Sequence, residues 1–208
     1  PQTSYFLTPD CCIYMTTEQI LEQLHTAFGF ELTLISDIEA HMQAHFPPSY
    51  RATMTPAEEM VGAMYAKHAF TDAAGRLVGL NLYDAGLQDE QLRLLQELEL
   101  PDLVALNLDK NPITTFTFSQ KFQRLVYATL NGCKQLQRVT CQPGFDRLAR
   151  LEITGTAITR FRLPDSYTRL CYLDVSRNKK LTELRLDGAL PQLQVAFLRG
   201  NALTAFHL

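Results

Sequence analysis

Leu103-Val104-Ala105-Leu106-Asn107-Leu108-Asp109-Lys110-Asn111-Pro112-Ile113-Thr114-Thr115-Phe116-Thr117-Phe118 holds two apolar rhythms in one short run. The first half spaces its apolar residues as Leu-x-x-Leu-x-Leu and reaches an asparagine and another apolar residue soon after. The second half alternates apolar and polar with a period of two, which is the signature of extended backbone with one buried side. The same register recurs. Upstream it reads Leu77, Leu80, Leu82, Ala85, Leu87. Downstream it reads Leu125, Ala128, Leu130, Cys133, Leu136, and then Leu148, Leu151, Ile153, Thr156, Ile158. It closes with Leu170, Leu173, Val175, Asn178, Leu181 and with Leu193, Ala196, Leu198, Asn201, Leu203. First residues are separated by 26, 22, 23, 22 and 23 positions, and Gln135 and Lys180 each add the extra residue where the final leucine falls late.

The second alternation returns as well, in Leu136/Val139/Cys141, Ile158/Phe161/Leu163, Leu181/Leu184/Leu186 and Leu203/Phe206/Leu208. A closing apolar residue follows at Phe122, Phe145, Tyr167 and Leu190. One such unit has no second wall for its leucines, so stacked copies must supply it. The opening unit differs. Gln88 to Glu99 holds strong helix formers without Gly or Pro, and a helix is expected there until Pro101. The Asn-type position turns the chain out of its strand and pairs backbone groups that would otherwise be buried without partners. Asn111, Asn178 and Asn201 keep that role, Cys133 and Thr156 are weaker donors, and Ala85 cannot donate.

The spacing resembles that of leucine-rich-repeat proteins, most like the short-repeat bacterial classes of the internalin-like type. The resemblance covers roughly residues 75–208 and rests on six copies in register. It implies an α/β solenoid, a right-handed coil with a parallel sheet along its concave side. It names no ligand.

Residues 1–74 show no repeat and read as three helices. Thr16 and Thr17 precede the first, which carries Leu24, Ala27 and Phe28 and ends at Gly29. Ser36 and Glu39 form a capping box for the second, halted at Pro47-Pro48. Thr55-Pro56 opens the third, with Met60, Val61, Met64 and Tyr65 expected inside. The segment reads as an amino-terminal cap over the first repeat; the other reading is an independent helical interaction domain. At the other end, Leu208 falls inside an apolar alternation, so the natural protein is expected to continue past it.

Composition narrows the function. A hydrophobic fraction of 46%, a charged fraction of 20% and a net charge of −3 describe an ordinary folded protein without the basic footprint of a nucleic-acid binder. No apolar run approaches the ~20 residues that span a bilayer, so no membrane insertion is expected. Five cysteines in odd number, without CxxC spacing, point to reduced thiols and a cytoplasmic protein, a secreted or surface-exposed one being the alternative. Vicinal Cys11-Cys12 reads as a half-buried pair. His41 and His45 lie one helical turn apart, as zinc ligands do, but the glutamate of HExxH is missing and a surface or interface pair is the reading. Phosphate loops and GxSxG are absent. We expect no catalytic residue, metal or cofactor.

A protein-binding module is therefore expected. The second reading is the targeting or regulatory arm of a larger enzyme, of GTPase or ubiquitin-ligase type, with its catalytic domain outside this chain. Strand residues that alternate with the leucines face outward on the concave side. Tyr83, Asp84, Asn107, Asp109, Tyr127, Arg150, Tyr172, Asp174, Arg177, Phe197 and Arg199 are the candidate partner-binding residues. Tyrosine and arginine are favoured at binding hot spots. Acidic residues lead this face and arginines end it, so a partner with the opposite polarity is expected.

Overall fold

The computed structural model describes residues 15–207. It is a mixed α/β chain whose larger part is a parallel-strand β-solenoid of six coils, with a few helices in front. The helices are α1 (Thr17–Phe28), α2 (Ile38–His45), α3 (Pro48–Arg51), α4 (Pro56–Met60) and α5 (Asp89–Glu97). The strands of the long sheet are β1 (Thr33–Ile35), β2 (His68–Thr71), β3 (Leu77–Asn81), β4 (Ala105–Asn107), β6 (Tyr127–Thr129), β8 (Arg150–Glu152), β10 (Tyr172–Asp174) and β12 (Val195–Phe197). On the opposite side, β5 (Thr115–Phe118) pairs with β7 (Arg138–Cys141), and β9 (Arg160–Leu163), β11 (Glu183–Leu186) and β13 (Ala205–His207) form a three-stranded sheet.

Strand pairing sets the repeats in line. From β3 to β12 every pair is parallel, and Leu80, Leu106, Ala128, Leu151, Leu173 and Ala196 occupy one row across the sheet. The first five of these are buried. The second alternation builds the far wall, where Phe116, Phe118, Val139, Cys141, Phe161, Leu163, Leu184 and Leu186 point inward. The closing positions Phe122, Phe145 and Tyr167 are fully buried between the walls, and the last two rings stack at 5.5 Å. The tyrosine oxygen still finds a partner there, donating to Gln142 O at 3.2 Å. A helix replaces the extended far side in the first coil only, at α5, as its composition led us to expect.

Each coil turns out of its strand in the same way. The residue before the Asn-type position has a left-handed backbone in all six coils: Asp84 (φ 48°), Lys110 (58°), Gly132 (70°), Gly155 (62°), Arg177 (61°) and Gly200 (73°). Three glycines take that conformation without cost, whereas the other residues give up roughly 1 kcal/mol each. The turn is held by amides that reach between coils. Asn111 Nδ2 donates to Leu82 O at 2.7 Å and Leu108 O at 2.9 Å, while its Oδ1 accepts from Leu87 N at 3.0 Å. That reach supplies the first coil, where Ala85 has nothing to give. Asn178 does the same for the fourth, donating to Ile153 O and Val175 O and accepting from Thr156 N and Thr156 Oγ1. Cys133 makes one bond, Sγ to Leu108 O at 3.1 Å.

The amino-terminal segment merges with this frame. β1 runs parallel to β2, and β2 antiparallel to β3, so the segment extends the long sheet at its first edge. α1 buries Ile20, Leu24 and Phe28 in the core that the coils share. Thr16 and Thr55 form the caps of α1 and α4. The cap of α2 is Asp37 rather than Ser36, because its Oδ1 accepts from both Glu39 N and Ala40 N at 3.1 Å. Met64, expected inside, is 72% exposed, since the chain leaves α4 in a 3-10 turn that swings it outward. α2 ends at His45, just ahead of Pro47-Pro48, and Pro48 then opens α3.

Replacing Asn178 by Ala should cost about 3 kcal/mol in urea unfolding, since buried carbonyls and an amide lose their partners. Asn201→Ala removes one donated bond, to Leu198 O, and one accepted from Asn178 N, at a half-buried site, and should cost less, about 1–2 kcal/mol. Equal losses would show that the amides do not carry the stacking.

Candidate functional site

The outer face of the long sheet, taken as concave in the sequence reading, is ruled by strand register. One row of side chains runs Gly79, Ala105, Tyr127, Arg150, Tyr172, Val195, and the next runs Asn81, Asn107, Thr129, Glu152, Asp174, Phe197. Small residues open the first row and large ones follow. That gradient decides what each half of the face meets.

Over the small end lies α4. A Cβ on Gly79 would sit 2.3 Å from Met60 Sδ, so any larger residue there would force the buried Met60 side chain to shift. The carbonyls left over as α4 ends are taken by the sheet: Asn81 Nδ2 donates to Met60 O and Gly62 O at 2.8 and 2.7 Å, and Asn107 Nδ2 donates to Val61 O at 2.6 Å. Asn81 and Asn107 are both buried. Asn107, expected to meet a partner, thus meets the chain's own helix, a contact across 46 positions that no local pattern encodes.

At the centre of the face, charges and rings close on one another. The Arg150 guanidinium lies 5.1 Å from the Tyr127 ring centre and 3.9 Å from that of Tyr172, a cation held between two aromatic faces. Arg150 Nε donates to Glu152 Oε1 at 2.8 Å, and another of its nitrogens stands 3.4 Å from Glu58 at the start of α4. Glu152 also accepts from the Tyr127 hydroxyl at 2.5 Å and from Asn131 Nδ2 at 2.9 Å. Burial raises the Glu152 carboxyl, but the bonds from Tyr127, Arg150 and Asn131 outweigh it and hold the group below its ordinary range. Burial and then the Glu152 charge push the Tyr127 phenol up. Tyr127 is only 8% exposed, so the expectation of an exposed ring fails there: Arg150 covers it.

Asp109 is likewise a structural carboxylate. Its Oδ1 accepts from Thr129 Oγ1 and Asn131 N, both at 2.6 Å, tying the second coil to the third. Burial pushes its pKa up to about 6, against the hydrogen bonds from Thr129 and Asn131 that lower it. Tyr83 is half-buried with Lys110 Nζ 4.9 Å above its ring, and exposed Asp84 forms the left-handed turn.

The large end stands open. Tyr172 and Phe197 meet edge-to-face at 5.8 Å, with Val195 and Phe197 37% and 43% exposed. Arg177 and Arg199 are exposed beside them, and Asp174 is half-buried with its Oδ1 accepting from Ser176 N at 2.9 Å. Tyr172, Asp174, Arg177, Phe197 and Arg199 border one cleft of about 290 Å³. A second, of about 280 Å³, is bordered by Glu58, Tyr127, Arg150, Tyr172 and Val195. The structure thus groups five of the sequence-derived candidates at one end and diverts Asn107, Asp109, Tyr127 and Arg150 to internal contacts. Glu58 and Glu152 complete the centre. Glu152 follows from strand alternation; Glu58 had no signal.

Elsewhere, His41 and His45 stack at 4.4 Å, with His41 Nε2 3.1 Å from the Tyr65 hydroxyl and His45 Nδ1 2.9 Å from His41 O. Among the described residues there is no group of three His, Cys, Asp or Glu placed to hold a metal ion, and no helix long and apolar enough to cross a membrane. Cys11 and Cys12 lie outside the described residues. Burial raises the thiols of Cys133 and Cys141 to about 12, which leaves both unreactive at neutral pH. No family model, curated protein or solved structure matches the chain.

Asp109→Asn keeps both accepted bonds, because they share one oxygen, and removes the buried charge. A carboxyl raised from 3.8 to about 6 lends its full stability below pH 3.8 and loses it as pH rises through 6. The variant should therefore gain on the wild type between pH 4 and 7 by on the order of 2 kcal/mol, or roughly 4–8 °C in Tm, with no further change above. A constant Tm difference across that range would contradict this.

Proposed function

We propose that the chain is a protein-recognition module with coils of the leucine-rich-repeat type, and that its partner sits on the carboxy-terminal half of the concave sheet. The repeat type is supported by the row of leucines shared from coil to coil and by the cross-coil asparagines. The observation that carries the function is the exposure of Val195 and Phe197 beside Tyr172 on parallel strands, with Arg177 and Arg199 exposed in the turns that follow those strands. Scattered apolar residues on a surface need no explanation, but aromatic and aliphatic side chains grouped next to guanidinium groups have the make-up of a hot spot. The amino-terminal half of the face offers no such surface, since Met60 and the α4 carbonyls occupy it. Recognition, rather than catalysis, is the reading because the perturbed carboxylates of this face are bound into coil-to-coil contacts instead of pointing into a cleft.

Tyr172→Ala together with Phe197→Ala should reduce capture of the natural partner by tenfold or more (a loss of about 2 kcal/mol for a hot spot) with the far-UV spectrum retained. Arg138→Ala with Arg160→Ala, on the opposite side, should leave capture unchanged. The reverse result in a quantitative pull-down would move the contact to that side.

A further inference from the structure

Charge is divided along the chain. Twelve of the 19 Lys and Arg follow residue 129, against six of the 22 Asp and Glu, so the amino-terminal part is acidic and the later coils are basic. Many of the later arginines are already answered on their own face. Arg160 pairs with Glu183 at 3.2 Å, Arg162 and Arg185 share Asp187, and Arg150 is held by Glu152 and Glu58. Among the described residues Arg138, Arg147, Arg169, Arg177 and Arg199 are not, and of these Arg177 and Arg199 stand together beside the aromatic end of the long sheet. These two sit in equivalent turns of adjacent coils, where Arg177 N donates to Arg199 O at 2.8 Å. Among the described residues neither enters an ion pair. Both border the cleft that Tyr172 and Phe197 share.

We infer that the partner's contact segment is acidic and carries an apolar anchor: a carboxylate side chain lodges between Arg177 and Arg199 while a neighbouring aromatic or aliphatic side chain packs on Tyr172, Phe197 and Val195. This rests on the reading of the long sheet's outer face as the contact surface. Coils stack about 4.8 Å apart, and that spacing lets one carboxylate meet donors from two guanidinium forks. Arginine's planar, weakly hydrated head suits such a site next to apolar surface, where lysine would hold its water. Asp174 lies in the same cleft, and its charge disfavours a continuous run of phosphates while leaving room for a single carboxylate flanked by apolar groups. The basic later coils add long-range attraction that orients an acidic segment before contact.

The test is an NMR titration of the 15N-labelled chain with a short capped peptide of glutamate and phenylalanine, and with its counterpart bearing lysine at each glutamate. The acidic peptide should shift the amides of Tyr172 to Arg177 and Phe197 to Gly200. Its binding should weaken with added salt, and by about tenfold or more in Arg177→Glu/Arg199→Glu, while Phe197→Ala should weaken it without changing the salt dependence. Dispersed spectra of the variants confirm that they fold. If the lysine peptide binds the same amides as tightly, the face remains a contact surface and the acidic preference is overturned. Shifts confined to Arg138, Arg160 and their neighbours would overturn the assignment of the site. If neither peptide moves the amides around Tyr172 and Phe197, both the preference and the underlying reading fail.

Discussion

Every coil leaves its strand through a left-handed residue followed by a buried or, in the first and last coils, half-buried position, and the backbone groups exposed by that turn must be paired away from water. A buried peptide group without a partner costs on the order of a few kcal/mol, more than any one apolar contact in the coil returns. The chain meets the demand by lending amides across coils: Asn111 backward to Leu82 and Leu87, Asn178 backward to Ile153 and Thr156, Asn201 to Asn178 N. Stacking is therefore compulsory rather than merely favourable. Once coils are locked in that register, the rows of leucines inside and of polar and aromatic residues outside follow without further choice.

The outer face inherits its chemistry from those rows. Gly79 and Ala105 leave a hollow that α4 fills, and the asparagines of the neighbouring row finish the helix with hydrogen bonds. Large side chains from the third coil onward fill their own space. There the Tyr127–Arg150–Tyr172 stack closes the centre, and the aromatic and cationic residues past it remain open. One sheet thus presents two surfaces: one internal to the molecule, the other exposed.

Much of this could be read from residues alone. Six coils, their register and the extended far side were all legible, because an apolar period of two or of Leu-x-x-Leu-x-Leu reports directly which side chains point inward. The helix α5 was legible from composition, and the caps of α1 and α4 from Thr16 and Thr55. The cap at Asp37 was missed by one position, since Ser36 and Asp37 both suit it and only backbone geometry chooses. The burial of Asn107 and Tyr127 was missed for a different reason: being outward on a strand is a local property, and being covered is not. Gly79 and Asn81 did hold a hint, for a glycine inside a strand marks a close approach of something from outside.

Periodicity along the chain determined the number of coils, their inward rows and the direction in which each strand residue points, because those depend on backbone repeat geometry that neighbouring residues share. Tertiary structure alone decided which outward residues are free. Glu58 meets Arg150 across 92 positions and Met60 fits over Gly79 only because folding brings α4 onto the sheet, and contacts at that separation obey shape and charge in space, which no repeat length records.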